Sequence, residues 1–503
     1  MVKISDAVKY VGVNDYDIDL FEGQYMLEKG MAYNSYVILD EKVAIMDSVD
    51  KIAVDTWLNN IDEALGDRIP DYIVVHHLEP DHSFGIQALA DKFPEMKIVV
   101  STVAVRMLPQ FCDIDASRVI AVKEGDTLEL GTHTLTFVMA SMVHWPEVMV
   151  SYESSEKILF SADGFGKFGT TDADEAWNCE ARRYYFNIVG KYGKQVQALL
   201  KKVSDLEIKT ICPLHGPVLT DTIPEVLSLY NTWSSYEPEN QGVFIACASI
   251  HGNTWQAAEK MKEILEEKGC PRVAIADLTR DDIAECVEDG FRHSVLLCMA
   301  SSYDAGVFTP MDDYLNHLEH KAFQNRTVAL VENASWAPSA IRAMKAHFEK
   351  MANINILDKT VTIKTRFTDA YAAELEELAD EIMKLFSSAE AILCFTFLKP
   401  TLSDEPSDCA MLPASELSAH SSALSYERRM LAAKLFLAAL QIKSAKRMSA
   451  DIITPLRRSL PTLFLKGAFV FFAKLTPPCF YCAQSRAKYL YILNIPHIPP
   501  KRQ

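Results

Sequence analysis

The chain has 503 residues, 49% of them hydrophobic, which is enough to bury more than one core, so its length predicts about three domains. The formal net charge is −18 at pH 7, and because Asp451 is the only acid after Arg428, the body before this basic end is strongly acidic. Such a body disfavours nucleic acid as a partner. The N-terminus lacks the basic and apolar stretches of a signal peptide, and the 11 scattered cysteines predict reduced thiols in the cytoplasm.

The first chemical motif follows an apolar, β-branched run that begins at Ile73. His77, Glu79, Asp81 and His82 stand directly behind this run, so four potential metal ligands fall within a few positions of one another. A strand followed by a tight turn can point alternate side chains into one pocket, as a bound cation requires. The spacing alone also fits a solvated polar loop, so the metal hypothesis needs further ligands.

Three further candidate ligands each follow an apolar, strand-like segment. They are His144, Asp163 and His215, which come after the segments 135–140, 158–162 and 208–214. The ends of neighbouring strands converge on one edge of a sheet, so ligands that are far apart in sequence can still meet there. Together with the first motif, these residues predict a metal site of up to seven ligands.

This pattern resembles the metallo-β-lactamase fold. Glu79 stands where zinc hydrolases of that fold usually carry histidine, and in this respect the chain resembles the flavodiiron proteins. The carboxylates of Glu79, Asp81 and Asp163 make the donor set rich in hard oxygen ligands, which also stabilise ferric iron. The resemblance implies an N-terminal αββα sandwich over residues 1–238.

The same resemblance implies how the ligands divide between two irons. One iron takes His77, Glu79 and His144, the other takes Asp81, His82 and His215, and Asp163 bridges the two. In the family the imidazole matching His82 sometimes stands off the metal, so this residue is expected either to bind iron or to lie beside it. Tyr25, Tyr184 and Tyr185 resemble family positions that line the substrate pocket.

Two other histidines are predicted to lie outside the metal site. His76 points away from His77 if the strand register holds. His133 stands next to Gly131 in a predicted hairpin turn, where a surface position is expected.

A second motif begins at Gln241, where a buried-strand pattern precedes the loop 249–254 and a helical pattern that starts at Trp255. The side chains of Ser249, Asn253 and Thr254 offer hydrogen-bond donors, and the exposed N–H groups of a helix start attract a dianion. The loop has no lysine of the kind that a P-loop nucleotide site requires. By itself the loop fits either a phosphate site of another class or a Rossmann-like turn of unknown purpose, and two later segments decide between them.

Two later buried-strand patterns end in the polar loops 301–306 and 332–337, and the ends of parallel strands form the ligand crevice of an open sheet. The order of strands and helices resembles flavodoxin, which implies a doubly wound FMN-binding domain over residues 241–386. Trp336 is the expected partner for stacking on the flavin ring. The residues expected to hold FMN are Ser249, His251, Gly252, Asn253, Thr254, Ser301, Ser302, Tyr303, Asp304, Ala305, Gly306, Asn333, Ser335 and Trp336.

The segment 387–503 is a basic tail without a recognisable domain, and little intrinsic structure is expected in it. Its apolar stretch from 460 to 475 is too short and too charged to span a bilayer. One Cys-x-x-Cys pair, Cys479 and Cys482, cannot supply the four thiolates of a rubredoxin, and a zinc site would need Cys394, Cys409 or His497 to complete it. A docking helix over residues 425–447 and a non-native read-through are the alternatives.

The conjunction of both motifs implies a cytoplasmic reductase that contains two irons and FMN. The flavin would pass electrons to the irons, which reduce dioxygen to water, nitric oxide to nitrous oxide, or both. The expected partners are an external donor such as rubredoxin or a flavin reductase, and a second copy in a head-to-tail homodimer or a dimer of dimers. The alternatives are a dinuclear zinc hydrolase with a fused flavodoxin and a non-catalytic redox carrier or gas sensor.

Overall fold

The computed structural model describes residues 4–397, and the side chains of those up to Phe386. Nearly all of the tail expected from residue 387 onward therefore lies outside the described residues, together with the zinc, docking-helix and low-structure hypotheses made for it. Within the described part, no helix is long and apolar enough to cross a membrane.

The first part of the chain forms two sheets. Their order is β1-β6-β7-β8-β9-β10 and β11-β12-β13-β14-β15, and two small pairs, β2 with β5 and β3 with β4, lie apart from them. The strands are β1 Val8–Tyr10, β2 Val13–Asp15, β3 Leu20–Phe21, β4 Tyr25–Met26, β5 Met31–Tyr33, β6 Tyr36–Leu39, β7 Val43–Met46, β8 Tyr72–Val75, β9 Lys97–Ser101, β10 Val119–Val122, β11 Thr127–Glu129, β12 Thr134–Met139, β13 Met149–Glu153, β14 Ile158–Phe160 and β15 Thr210–Cys212.

Helices accompany these sheets, and a short π-helical segment, Tyr185–Val189, directly follows one of them. The α-helices of this part are α1 Val54–Leu65, α2 Pro80–Ser83, α3 Ile86–Lys92, α4 Ala104–Met107, α5 Trp177–Tyr184, α6 Gly193–Val203 and α7 Ile223–Ser234.

Alternating side chains of each strand explain why the two sheets stack. Tyr36 and Met46 from the first sheet belong to the same buried cluster as Phe137 and Phe160 from the second. The intervening residues of both sheets, such as Ile45, belong to another cluster that includes apolar residues of α1, α3 and α6. This two-sided burial is the αββα arrangement expected from the sequence.

The second part of the chain is an open sheet of order β17-β16-β18-β20-β21, in which all of these strands are parallel and β19 pairs with the end of β18. This is the flavodoxin-like order, with its switch point between β16 and β18. The elements are β16 Asn240–Ala248, β17 Val273–Asp277, β18 His293–Tyr303, β19 Gly306–Val307, β20 Arg326–Asn333, β21 Ile354–Ile363, α8 Asn253–Glu267, α9 Ile283–Arg292, α10 Thr309–His320, α11 Ala340–Phe348 and α12 Asp369–Phe397.

Helices cover both faces of this parallel sheet, which explains its continuous hydrophobic strand runs. Helices α8 and α12 pack on one face, and α9, α10 and α11 pack on the other. Helix α12 continues past residue 386, where the FMN-binding domain was expected to end. The division into domains 1–238 and 241–386 stays a prediction. The described strands before β16 pair only among themselves, as do β16–β21.

Buried ion pairs join the two parts of the chain. The guanidinium of Arg182, on α5, lies 2.7 Å from Glu239 and 3.4 Å from Glu288 of α9. The neighbouring Arg183 lies 2.6 Å from Asp282, which caps the start of α9. Because both arginines are almost fully buried, these contacts hold α5 against α9 where water cannot compete.

The side chain of Arg326, at the start of β20, binds backbone carbonyls beside the amino-terminal ends of the parallel strands. Its buried guanidinium donates to the carbonyls of His293 at 2.9 Å, of Tyr236 at 2.5 Å and of Phe291. Burial lowers the pKa of Arg326 to about 10, since desolvation disfavours the charged form. Tyr236 belongs to the segment between α7 and β16, so one side chain ties this connection to the sheet.

We predict that Arg326→Met lowers the free energy of unfolding by about 2–4 kcal/mol, because several buried carbonyls lose their donor. Arg326→Lys keeps the charge but not the planar fork, and should fall between this variant and wild type. Urea unfolding followed by circular dichroism measures the difference. Arg106→Met, at an exposed arginine of α4, is the control and should match wild type. An Arg326→Met protein as stable as this control would contradict the assigned role.

Candidate metal centre and flavin site

The first four predicted ligands lie where β8 ends and α2 begins, and the turn there brings their side chains together with the three later ones. All seven residues meet in two groups, and within each group the candidate ligand atoms lie within 4.8 Å of one another. The groups are His77, Glu79, His144 and Asp163, and Asp81, His82 and His215.

In the first group, imidazole nitrogens and carboxylate oxygens face a common centre. The Nε2 atom of His144 lies 3.0 Å from Oε2 of Glu79 and 3.1 Å from Oδ2 of Asp163. The Nε2 atom of His77 lies 3.2 Å from the same oxygen of Glu79. These spacings are those of donors that share one ion.

The second group lies on the other side of Asp163. The Nε2 atom of His215 lies 3.0 Å from Nε2 of His82 and 3.3 Å from Oδ2 of Asp81. The Nε2 atom of His82 lies 3.2 Å from Oδ1 of Asp163, whereas the first group faces Oδ2 of that residue. One carboxylate therefore presents one oxygen to each group, as a bridging ligand does.

The carboxylates of this cluster test whether cations fit the site. Both side-chain oxygens of Asp81 and both of Asp163 are buried and have no hydrogen-bond partner among the described residues. Burial of an ionised carboxylate without a partner is costly, so buried carboxylates are paired or coordinate metal ions. With four imidazoles and three carboxylates, the donor set fits a pair of hard or borderline ions such as iron.

The pKa shifts of His144 and Glu79 also indicate a site that favours cations. Burial disfavours the charged imidazolium of His144, yet Asp163 and Glu79 outweigh it and raise the pKa of His144 to about 9. Burial would raise the pKa of Glu79, but hydrogen bonds from His144 and His77 lower it to about 2. The carboxylates thus favour positive charge at the centre, which protons supply when metal ions do not.

Two of the ligand histidines are oriented by a contact to their second ring nitrogen, Nδ1. The Nδ1 atom of His77 lies 2.8 Å from Oε1 of Glu147, and Nδ1 of His215 lies 2.8 Å from the carbonyl of Ala32. Each contact leaves Nε2 free to face the metal centre. Sequence reasoning missed Glu147, although it stands three positions after a predicted ligand.

The three predicted pocket tyrosines differ in position. The ring of Tyr184 lies 5.6 Å from that of His215, next to the second ligand group. Tyr185 instead packs on Tyr230, at 5.1 Å between ring centres. Tyr25 donates its hydroxyl to the carbonyl of Asn187 at 3.1 Å. Of the adjacent pair, only Tyr184 is therefore seen beside a ligand.

The two excluded histidines stay outside both ligand groups. His76 is buried and lies between Asp47 and Ser151, with nitrogen–oxygen distances of 2.6 and 2.8 Å. The surface position expected for His133 is wrong, since only 8% of it is exposed. Its Nδ1 atom lies 2.7 Å from Oδ2 of Asp40, on the turn between β6 and β7, which covers it.

The predicted flavin loops lie at the carboxyl ends of β16, β18 and β20. Gly252 has a φ of +86° at the start of α8, and a Cβ added there would meet nothing within 4 Å, so a phosphate could approach the backbone closely. Thr254, in the first turn of α8, and Ser301, near the end of β18, contact each other at 3.1 Å between their hydroxyls. The crevice therefore has the open backbone cradle that an FMN phosphate needs.

The other flavin-loop residues are not equally available to a ligand. Trp336 is 82% exposed and Tyr303 is 47% exposed. The hydroxyl of Ser302, by contrast, accepts the backbone N–H groups of Ser339 and Ala340 and so holds the start of α11. His251, Asp304 and Ala305 are exposed, and Gly306 is half-buried, around the same crevice.

Comparisons with known proteins agree with both halves of this architecture. Residues 31–216 match the model of the ODP family beta lactamase. The chain is 30% identical over 342 residues to coenzyme F420H(2) oxidase of Methanothermobacter marburgensis, covering 65% of this chain and 83% of that protein. It is 25% identical over 401 residues to anaerobic nitric oxide reductase flavorubredoxin of Vibrio vulnificus, covering 77% and 80%.

A solved structure extends this likeness to the whole described fold. Rubredoxin oxygen:oxidoreductase from Desulfovibrio gigas superimposes with a TM-score of 0.72 and 26% identity, covering 77% of this chain and 98% of that one. The fold and site define a metallo-β-lactamase-like domain joined to a flavodoxin-like domain. The chain belongs to the flavodiiron protein family. This confirms the predicted family and fold class, and it supports the expected diiron centre and FMN.

We predict that Asp163→Asn removes iron from both ligand groups, because its two oxygens face both and because the amide carries no negative charge. His82→Ala should reduce iron content by about one ion at most, since His82 belongs to one group only. Iron per chain, measured by plasma emission spectroscopy, gives the comparison. His133→Ala, at a buried histidine outside the centre, is the control and should keep wild-type iron. Equal iron loss in the Asp163 and His82 variants would contradict the bridging role.

Proposed function

We propose that this protein is an oxidoreductase in which FMN passes electrons to a diiron centre that reduces dioxygen to water, nitric oxide to nitrous oxide, or both. The observation that carries the proposal is the carboxylate-rich seven-residue cluster in the same chain as a flavodoxin-like crevice. When bound, the flavin would store and deliver electrons, and the irons would bind and activate the gas.

The names of the similar proteins support this activity. The relative from V. vulnificus is a nitric oxide reductase, the one from M. marburgensis is an oxidase, and the one from D. gigas is an oxygen:oxidoreductase. Glu79 supports iron over a zinc hydrolase, because a third carboxylate adds a hard oxygen donor where an imidazole would favour a borderline metal.

The ligand residues would divide as the geometry of the cluster suggests. His77, Glu79 and His144 would hold one iron, and Asp81, His82 and His215 would hold the other. Asp163 would bridge both, because its oxygens face opposite groups. Its negative charge offsets part of the charge of the two cations, so both can stay close together.

The ligand shell also decides where a small substrate can enter. The side chains of His77 and His82 are fully buried, whereas those of Glu79, His144 and Asp81 are 18%, 10% and 10% exposed. Glu79, His144 and Asp81 therefore form the open side of the centre, and we place gas entry there. Buried residues on the opposite side exclude water from the ligands.

Tyr184 would keep a proton beside the centre. Burial, and then the carboxylate of Asp163, raise the pKa of its hydroxyl well above the usual value, so this group stays protonated at neutral pH. A neutral tyrosine can donate a hydrogen bond to a polar group in the pocket without adding charge to it.

In the flavodoxin-like part, the loop 249–254 would hold the FMN phosphate at the start of α8. The backbone of residues 301–306 and the third loop, with Asn333 and Ser335, would line the flavin. Trp336, largely exposed, would stack on the ring. Ser302 would act indirectly, by holding the start of α11.

We further propose an external electron donor, such as rubredoxin or a flavin reductase, and a cytoplasmic location. The name of the D. gigas relative, a rubredoxin oxygen:oxidoreductase, supports the first. The described cysteines in β15, β16 and β18, which are buried and form no disulfide, agree with a reducing compartment.

We also propose that two chains form a head-to-tail dimer, or a dimer of such dimers, in which each metal centre faces the flavin of the partner. Exposed apolar side chains near both sites support this arrangement. Phe84, two positions after His82, is 50% exposed, and Ile250, Tyr303 and Trp336 are exposed at the flavin loops. Met26, 61% exposed, belongs to the β3–β4 pair, whose Phe21 ring lies 5.6 Å from that of His215. An interface that covers both sets would remove them from water.

The function has a direct test. We expect the purified protein to contain about two irons and one FMN per chain, because the described residues supply ligands for two ions and one flavin crevice. With a reduced donor it should consume dioxygen, nitric oxide or both, measured with gas electrodes at matched donor concentration. Stoichiometric zinc without flavin, or no turnover of either gas by the iron- and FMN-loaded protein, would contradict the proposal.

Coexpression tests the shared site of the dimer. One chain carries His77→Ala with Asp163→Ala and lacks metal, and the other carries Asn253→Asp with Trp336→Ala and lacks flavin. Random pairing makes half of the dimers mixed, each with one working pair of two, so activity should return to roughly a quarter of wild type.

The control coexpresses two differently tagged chains that both carry the metal substitutions, and it should stay inactive. If electrons pass within a single chain, mixing restores nothing, and the shared-site model is wrong.

A further inference from the structure

We propose that Glu147 is a positioning residue that strengthens one of the two metal subsites through His77. The metal held by His77, Glu79 and His144 would be bound more tightly, and would have a lower reduction potential, than without this carboxylate. This inference rests on the proposed diiron centre but concerns a residue that binds neither metal nor flavin.

The contact between Glu147 and His77 is short and shielded from water. The Oε1 atom of Glu147 lies 2.8 Å from Nδ1 of His77 and accepts the backbone N–H of Leu78 at 3.1 Å. The side chains of Glu147 and His77 are 1% and 0% exposed. With Nδ1–H donated to the carboxylate, the lone pair of His77 is fixed on Nε2, on the side of Glu79 and Asp163.

The backbone of Glu147 is held as firmly as its side chain. The hydroxyl of Ser101, at the end of β9, donates to the Glu147 carbonyl at 2.7 Å and accepts the N–H of Ala104 at 3.1 Å. Glu147 therefore cannot swing away from His77 without breaking contacts on two elements. A fixed acceptor of this kind sets the orientation of the imidazole before any metal binds.

The other three imidazoles of the centre lack such an anion within the described residues. Nδ1 of His215 contacts a neutral carbonyl, that of Ala32. Nδ1 of His82 is buried without a hydrogen-bond partner, and no contact to Nδ1 of His144 is seen. Among the described residues, His77 is therefore the one ligand of the centre whose Nδ1 atom contacts a buried carboxylate.

This asymmetry has a chemical consequence. A carboxylate that accepts the Nδ1–H of an imidazole makes Nε2 a stronger electron donor to its metal. A stronger donor stabilises the higher oxidation state of that metal more than the lower one. Glu147 thereby makes the two proposed irons unequal, with the one bound by His77 harder to reduce than it would be without this carboxylate.

The test compares metal affinity and potential in variants that keep the shape of the site. In Glu147→Gln the amide oxygen can still accept from Nδ1, but the charge is gone. We expect one of the two metal ions to bind about 10–100-fold more weakly when metal-free protein is titrated with Co(II) against a chelator. The midpoint potential of one iron should rise in a redox titration followed by electron paramagnetic resonance.

Glu153→Gln is the matched control. Glu153 is also fully buried, but its oxygens accept the backbone N–H groups of Ser155 and Glu156 and contact no ligand. This variant removes a buried charge without touching the metal centre, so it should keep both affinities and both potentials. Glu147→Asp, which retains the charge with a shorter reach, should fall between wild type and Glu147→Gln.

The outcomes separate this inference from the proposed function. If wild type binds fewer than two metal ions, the proposed diiron centre itself fails. If wild type binds two ions and Glu147→Gln matches the Glu153→Gln control in affinity and potential, the role of Glu147 is wrong. Should Glu147→Gln not fold, Glu147→Ala, which also removes the carboxylate, decides by the same two measurements, and wild-type values in that variant would overturn the inference.

Discussion

The metal centre depends on one buried carboxylate, that of Asp163, whose two oxygens face imidazoles of different ligand groups. Asp163 is 1% exposed, and neither of its oxygens has a hydrogen-bond partner among the described residues, although imidazoles approach them from opposite sides. A carboxylate in this position is stable only with positive charge beside both oxygens. The requirement determines what surrounds it, because β8, β12, β14 and β15 must all end at this place for the other ligands to reach Asp163.

The surroundings of the centre are continuous with the flavodoxin-like part. Tyr184, the last residue of α5, lies beside His215. In the π-helical segment that follows, the carbonyl of Asn187 accepts the hydroxyl of Tyr25 and the amino group of Lys321. Lys321 follows α10, in the flavodoxin-like part of the chain. A π-helical turn frees backbone groups that a regular helix would use internally, and here these groups join the pocket wall to the neighbouring domain.

The sequence predicted most of what depends on strands and on local spacing. His77, Glu79, Asp81 and His82 are adjacent in the chain, and the other ligands follow strands whose ends must converge. In the second part, three continuous hydrophobic runs with polar loops behind them predicted strands, and the resemblance to flavodoxin implied the doubly wound sheet. These features need no knowledge of contacts between distant residues.

What could not be predicted depends on contacts between residues that are far apart in sequence. His133 is buried because Asp40, 93 positions earlier, bonds to it, and a turn position alone suggests the surface. The role of Arg326 depends on carbonyls 33 and 90 positions away. The adjacent tyrosines 184 and 185 looked equivalent because the sequence does not show which face of this helix lies against His215.

The two proposed cofactor sites share their place in the fold but bind their cofactors with different groups. In both halves the ligand-binding residues follow the carboxyl ends of strands, where the sheet stops and the backbone is free to turn. The metal centre uses charged side chains that are buried and held by partners such as Glu147, so its geometry is fixed before an ion binds. The flavin crevice uses open backbone and exposed rings such as Trp336. A buried site suits cations that must be kept from water, and an open one suits a flavin that must exchange electrons with partners outside the chain.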